Sequence, residues 1–218
     1  PLVLAGKAEL TSSTNFQQSM TAIAASANIP LQNLGALSKA YLDAGANSVF
    51  SAQEQVRAGL RLQQAGAGIN TSQRLAAAGT EFAAANYDDI ERTVSNYQSA
   101  TEQLMQVTRM FGGTQFETAL KTDDANKVMI EITKNSDLFT TVMNKSATRM
   151  APFMEAMSYL GPVAQTVGLS VKEAAFMIGI AADQGVEGSR AGREFASGLV
   201  QMFSNTDKVN AALKTLGI

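Results

Sequence analysis

The sequence predicts an all-α protein of about nine or ten short-to-medium helices, with helical hairpins packed in an Ala/Gly/Met-rich bundle. Apolar residues recur at the i, i+3, i+4, i+7 spacing of amphipathic helices in one segment after another. Ser, Thr or Asp precedes most of these segments, and Gly or Pro follows, as helix caps and stops do. No segment combines sustained apolar/polar alternation with a hairpin turn, the pattern that indicates strands.

The predicted helices follow one another through short loops. Residues 1–10 are of mixed character and are predicted to be extended or frayed. The longer predicted helices cover residues 11–28, 31–44, 52–65, 72–86, 89–111, 124–135, 149–160, 171–182, 190–203 and 207–216, and a short one covers 114–121. The first two form an N-terminal helical pair, residues 1–50, and residues 51–218 form a core region, as two domains or as one continuous domain.

Helix starts before residue 147 are assigned from capping residues. Ser51 with Glu54 three residues later is a capping box. Thr71 or Ser72 is predicted to cap the helix that ends near residue 86. Asp123 or Asp124 is predicted to open the helix that runs to about residue 135. Residues 138–143 are ambiguous, because they are rich in β-branched side chains but no strand partner is nearby.

The stretch from residue 147 to residue 203 carries the clearest punctuation, and it predicts a tight α-helical hairpin with a preceding helix packed against it. Leu160-Gly161-Pro162 is predicted to end the first helix. Ser170 with Glu173 forms a second capping box, Gly185 ends that helix, and Ser189 is predicted to cap the last one. We expect these positions to be structural determinants: Gly161, Pro162, Gly168, Ser170, Gly185, Gly188, Ser189 and Gly192.

The helix predicted over residues 89–111 has apolar residues and threonines spaced alternately by four and by three. This spacing is an imperfect heptad seam, because two of its members are Thr. A core-facing stripe within one domain is one interpretation, and a contact between copies of the chain is the other. The inter-chain seam would comprise Ile90, Val94, Tyr97, Leu104 and Phe111.

Composition excludes several classes of function. The chain of 218 residues has no Cys and no His, and its formal net charge is −2. Ser-His-Asp triads, Cys-His pairs and ordinary zinc sites are therefore excluded, and the charge gives no general electrostatic drive toward nucleic acid or anionic membrane. We expect no catalytic residue, no cofactor and no metal site. The carboxylate pairs at 88–89 and 123–124 are interpreted as helix N-caps, and the glycines of residues 185–192 do not have the spacing of a nucleotide-binding loop.

Three runs in the second half of the chain share a distinctive order of turns, caps and glycines: SYLGPVA at 158–164, VGLSVKEAA at 167–175 and GVEGSRAG at 185–192. Two shorter runs lie upstream, QAG at 64–66 and MFG at 110–112. Together they resemble the core region of phage tail tape measure proteins, and the resemblance covers about residues 51–218. Tape measure chains are usually much longer than 218 residues, so a chain that begins with Pro1 is expected to be a fragment or a processed product.

The resemblance implies a structural protein of a phage or phage-derived tail. Such a protein sits in the lumen of the tail tube, sets tail length during assembly in the host cytoplasm, and leaves the tail ahead of the DNA. The partners it implies are copies of the same chain, tail tube and tail tip or baseplate proteins, and tail assembly chaperones. Specific nucleic-acid binding is not expected, and membrane contact is expected only at infection.

Two other classes of function remain as alternatives. One is a membrane-active segment that is released at infection and helps DNA to cross the host envelope through residues 171–182 and 199–203. These apolar runs are shorter than the ~18 residues of a stable membrane span. The other is a wall-degrading enzyme, for which the chain offers only scattered carboxylates.

Overall fold

A computed structural model describes the backbone of residues 2–86, 94–204 and 214–215, and the side chains of residues 14–86, 100–204 and 214–215. These residues form nine α-helices and one 3₁₀-helix and contain no strand, so the all-α prediction is confirmed. The α-helices are α1 (Leu2–Ser26), α2 (Gly35–Ala46), α3 (Ala52–Gln64), α4 (Ile69–Asn86), α5 (Val94–Lys121), α6 (Ala125–Lys145), α7 (Met150–Thr166), α8 (Val171–Asp183) and α9 (Gly188–Ser204), and the 3₁₀-helix is Leu31–Asn33.

The chain forms two compact units, residues 1–136 and residues 137–218. The first contains α1 to α5 and the first half of α6. The second contains the rest of α6 and α7 to α9. The predicted division at residue 50 rests on sequence resemblance and stays a prediction.

Helix α3 lies at the centre of the first unit and packs against α1, α2, α4 and α5. Its sequence is amphipathic, with Val56 and Leu62 fully buried and Arg57 and Arg61 exposed. Small residues allow the close approach: a Cβ at Gly59 would collide with the Tyr41 hydroxyl of α2, and one at Gly79 would collide with the Thr101 side chain of α5. The largest fully buried side chains of the unit are Ile23, Tyr41, Leu62, Leu75, Leu104, Met105 and Ile132.

Helix α7 lies at the centre of the second unit. It packs most extensively against α9 and next against α8, whereas α8 and α9 touch little. The predicted packing of the preceding helix is confirmed, since α7 contacts both α8 and α9. The prediction of a tight α8–α9 hairpin is wrong, because Gly192 brings α9 onto the backbone of α7 instead. The ring centroids of Phe139 from α6 and Phe153 from α7 are 5.2 Å apart, and both side chains are fully buried.

The limits predicted for the first two helices differ from those in the structure. Helix α1 begins at Leu2, so residues 2–10 are helical rather than extended. They contain Leu, Ala, Lys and Glu, which are strong helix formers, and they continue without a break into the predicted helix. The predicted helix over 31–44 is a 3₁₀ turn followed by α2, which runs on to Ala46.

Two further helices continue past their predicted ends. Helix α6 runs to Lys145 instead of ending near residue 135, so the ambiguous residues 138–143 are helical. Phe139 and Val142 are buried on one face there, and tertiary burial outweighs their weak β preference. Helix α7 runs to Thr166, with Pro162 inside it. A proline inside a helix costs about 3 kcal/mol or more, but Leu160 and Ala164 on either side are fully buried and hold the helix together.

The predicted helix break at Gly112-Gly113 is confirmed. Gly113 has φ 57° and ψ −153° inside α5, so α5 is two helices joined at a bend. Arg109 and Glu117 form a two-pronged ion pair across this bend, with Nη2 2.9 Å from Oε2. Arg109 also donates to the carbonyl oxygen of Ala65 at 3.2 Å, which connects the bend to the end of α3.

Candidate functional site

The start of α8 is capped locally by Ser170, which precedes the helix, and Glu173, which lies in its first turn. The Ser170 hydroxyl accepts a hydrogen bond from the Glu173 backbone N–H at 3.2 Å, and the Glu173 carboxylate accepts one from the Ser170 N–H at 2.8 Å. The predicted capping box is therefore present. The backbone hydrogen bond, and then the bond from the Ser170 hydroxyl, lower the pKa of Glu173. The same arrangement joins Ser51 and Glu54 at the start of α3.

Glycines end α7 and the following helix by the same motif. Gly168 has φ 81°, its N–H bonds the carbonyl of Gln165 at 3.1 Å, and the Leu169 N–H bonds that of Ala164 at 2.9 Å. Gly185 repeats these bonds at the end of α8 with φ 78°. This is the Schellman arrangement, which needs a residue with positive φ at the position after the cap.

The α7–α9 crossing depends on two more of the predicted positions. A Cβ on Gly192 would collide with the carbonyl oxygen of Ala156 and would lie 2.9 Å from Tyr159 Cβ. Gly188 has φ 58°, and a Cβ there would lie 2.7 Å from Glu155 Oε2. The Arg193 guanidinium stacks over the Tyr159 ring at 4.7 Å from its centroid. The crossing therefore combines a backbone contact through Gly192 with a cation–π contact at its edge.

The remaining positions of the predicted set lie elsewhere than expected. Gly161 and Pro162 lie inside α7, where Gly161 is buried and Pro162 is exposed. Ser189 lies in the first turn of α9, which begins one residue earlier, at Gly188. The role of the whole set as structural determinants stays a prediction.

A carboxylate from a distant part of the chain caps α4. Asp123 accepts hydrogen bonds from the backbone N–H groups of Asn70 at 3.0 Å and Thr71 at 2.9 Å, and from the Asn70 side chain at 2.8 Å. Thr71 and Ser72 lie inside α4 and are fully buried, so their prediction as caps is wrong. The physical reason is that α4 begins at Ile69, where a tertiary cap replaces a local one.

The pair of aspartates at 123–124 is divided between two helices. Asp124 accepts a hydrogen bond from the Lys127 N–H at 3.3 Å at the start of α6, and its bonds with Lys127 lower the pKa of Asp124. Asp123, with φ 52°, turns the other way toward α4. Sequence reasoning assigned the pair to a helix start but missed the second helix, since nothing local indicates a partner more than fifty residues away.

The second unit contains a similar carboxylate that the sequence did not indicate. Asp183, the last residue of α8, accepts a hydrogen bond from the Ala147 backbone N–H at 2.7 Å. Ala147 belongs to the short connection between α6 and α7. The bond therefore joins the end of α8 to the start of the segment that leads into α7.

The predicted seam is only partly within the described side chains. Leu104 is fully buried in the first unit, and Phe111 is half-buried. Ile90 lies outside the described residues, and Val94 and Tyr97 lie in α5 but outside the described side chains. The inter-chain seam stays a prediction.

The titratable groups of the described residues do not gather into a metal site. Among them, no group of three or more Asp or Glu could hold an ion; Asp88, Asp89 and Glu91 lie outside these residues. Burial raises the pKa of the Tyr41 phenol. The nearby Ser72 hydroxyl partly offsets this rise, although the two hydroxyls are not placed to form a hydrogen bond. None of the helices described is both long enough and apolar enough to cross a bilayer.

Comparison with known proteins relates the chain to phage tails. The family described as phage-related minor tail protein matches residues 38–218. The chain is 27% identical over all of its 218 residues to the tape measure protein of Pneumococcus phage Dp-1, of which it covers 17%. It is 35% identical over 82 residues, or 38% of its length, to the probable tape measure protein of Escherichia phage P2, of which it covers 10%. No solved structure matches the chain.

These matches agree with the resemblance carried by the glycine and cap positions of α7 to α9. The family match extends it to residue 38, and the match to the phage Dp-1 protein covers the whole chain. The chain spans about a sixth of the first relative and a tenth of the second. Neither relative's name supports the alternative of a membrane-active segment. The chain belongs to the family of phage-related minor tail proteins.

Proposed function

We propose that this chain is a segment of a tape measure protein that sets tail length during assembly and lies in the lumen of the tail tube. The observation that carries the proposal is the match of its whole length to one tape measure protein. The segment would act through its length and its packing, without catalysis and without a cofactor. The assembly would take place in the host cytoplasm.

The proposal includes the partners that a tube-filling protein needs. These are copies of the same chain, tail tube proteins, tail tip or baseplate proteins, and tail assembly chaperones. The α-helical and Ala-rich character of the chain supports close packing of helices in a narrow space. Arg61 and Arg74 of the first unit contact Glu102 of α5 and Asn126 of α6 respectively, which supports the absence of a dedicated nucleic-acid surface.

Duplication of the segment in the parent gene tests this function directly. A helical chain rises about 1.5 Å per residue, so a second copy of 218 residues would lengthen the tail by at most roughly 330 Å. Electron microscopy of purified tails measures the change. The control is Lys134→Ala, an exposed substitution that keeps the chain length and should leave the tail unchanged.

The results of this experiment separate the two functions. A longer tail after duplication, together with a shorter one after deletion of the segment, supports length determination. Tails of unchanged length in both variants would refute it. Leakage of lipid vesicles by the purified chain would instead support the membrane-active alternative.

A further inference from the structure

Helix α8 presents an apolar pair to solvent. Phe176 and Ile180 are 40% and 63% exposed, whereas Ala174, Ala175 and Ile178 on the other side of the helix are buried against the rest of the unit. The remaining exposed helix residues on this side are charged: Lys172 and Glu173 at the start, and Asp183 at the end. This side of α8 is therefore a solvent-exposed face with an apolar centre and charged ends, and within the unit Glu173 bonds Ser170 and Asp183 bonds the Ala147 N–H.

Two of these charges, Lys172 and Asp183, are placed unfavourably for α8 itself, whereas Glu173 suits the helix start that it caps. A helix N-terminus carries partial positive charge and a C-terminus partial negative charge. Lys172 lies in the first turn and Asp183 is the last residue, so both have the sign that their own helix end disfavours. A neighbouring helix running in the opposite direction would place its C-terminus beside Lys172 and its N-terminus beside Asp183, and would reverse both interactions.

The face is also complementary to itself. At 3.6 residues per turn, Lys172, Phe176, Ile180 and Asp183 lie within an arc of about 80°. In an antiparallel pair related by a two-fold axis near residue 178, Phe176 meets Ile180 of the second copy, and Lys172 meets Asp183. Lys172 and Asp183 lie within about 20° of each other around the helix, on the same edge of the face. The two-fold operation therefore brings them together, and it keeps Glu173 on the opposite edge.

We propose that the exposed face of α8, formed by Lys172, Phe176, Ile180 and Asp183, pairs with the same face of a second copy of this chain in antiparallel orientation. Such an isologous contact requires a surface that fits itself, and this face fits itself in both charge and apolar content. The Lys172 ammonium, 5.9 Å from the centroid of the Phe176 ring, would lie between that ring and the second copy's carboxylate. The pairing deepens the self-association included in the proposed function and rests on it.

The contact is small. One pair of short helices buries less than the ~800 Å² per partner of a standard interface. We therefore expect weak, concentration-dependent pairing, which a covalent cross-link can capture. The chain has no cysteine, so single introduced cysteines report on chosen positions without background.

Disulfide cross-linking of the full chain tests both the surface and its direction. Lys172→Cys protein mixed with Asp183→Cys protein should form several-fold more cross-linked dimer than either protein alone. Phe176→Cys mixed with Ile180→Cys is an independent pair that leaves the Asp183–Ala147 bond intact. Lys134→Cys, exposed in the first unit, measures collisional background, and adding Ile180→Glu to the first pair should reduce its cross-link to that background.

Each outcome decides one part of the inference. Cross-linking in both mixtures, reduced to background in the first mixture by Ile180→Glu, supports the antiparallel face. Cross-linking of Lys172→Cys protein with itself would show parallel pairing and overturn the proposed geometry. Background cross-linking in a chain that light scattering still finds oligomeric would overturn the α8 surface and leave self-association standing. A monomer at every concentration would overturn both, while the duplication experiment would still decide the tail-length function.

Discussion

Replacement of Gly192 by alanine should weaken the second unit. The added Cβ would collide with the Ala156 carbonyl oxygen and would lie 2.9 Å from Tyr159 Cβ and 3.0 Å from Ala156 Cα. Two of these three atoms belong to the α7 backbone, so no side-chain rotation relieves the clash. Helix α9 must move away from α7 by about 1 Å to restore ordinary contact distances.

The size of the effect follows from two opposing terms. Overpacking of a tight contact costs about 1–3 kcal/mol, and the upper end applies here because backbone atoms are involved. Replacing glycine by alanine inside a helix returns about 1 kcal/mol. The net loss in the free energy of unfolding is therefore about 2 kcal/mol.

The same helix contains a matched control. Gly198 also lies in α9, but a Cβ added there would have no atom within 4 Å. Gly198→Ala should therefore stabilise the chain by about 0.5–1 kcal/mol through the helix-propensity term alone. Urea unfolding followed by far-UV circular dichroism measures both variants. Equal stabilisation by the two substitutions would refute the close α7–α9 crossing.

Three further predictions concern polar groups. Asp123→Gly removes the α4 cap while keeping a residue that tolerates positive φ, and should lower the free energy of unfolding by about 1–2 kcal/mol. Asp123→Asn should lower it by less. If Asp123→Gly lowers it no more than the exposed control Asp137→Ala does, the tertiary cap is contradicted. Tyr41→Phe removes a buried hydroxyl without a hydrogen-bond partner and should leave urea stability unchanged or raise it by up to about 1 kcal/mol; a clear loss would reveal a partner. The pKa of Glu173 is lower in the folded chain than its ordinary value, so the stability that its carboxylate adds is present above the ordinary glutamate pKa and is lost as pH falls through the lowered value. Glu173→Gln should remove this pH dependence of the free energy of unfolding. The same pH dependence in both proteins would contradict the capping box.

Local signals predicted most of the helices because each one is read from a few neighbouring residues. Ser51 and Ser170 each have a glutamate three residues later, and both form the predicted capping boxes. The glycines at 66, 168 and 185 end helices in the structure as such residues do in general. The family resemblance was available for the same reason, since the order and spacing of the caps and glycines in residues 158–192 carry it.

Two of the errors occurred where burial overrides a local preference. Pro162 predicts a helix end, but α7 continues because Leu160 and Ala164 are packed in the interior. The β-branched residues of 138–143 lie in α6 because Phe139 and Val142 point into the core. Such burial depends on helices elsewhere in the chain, and the local periodicity of the sequence carries no information about their positions.

The sequence by itself therefore determined the all-α class, most of the helix limits, the lack of imidazole and thiol chemistry, and the resemblance to tail proteins. Only the tertiary structure decided which helices touch. Asp123 caps α4 rather than its own helix, α9 packs on α7 through Gly192 rather than on α8, and Phe176 and Ile180 of α8 remain exposed. The physical reason is sequence distance: local caps and turns depend on residues a few positions apart, whereas the α4 cap and the pairing of helices depend on contacts between residues far apart in the chain.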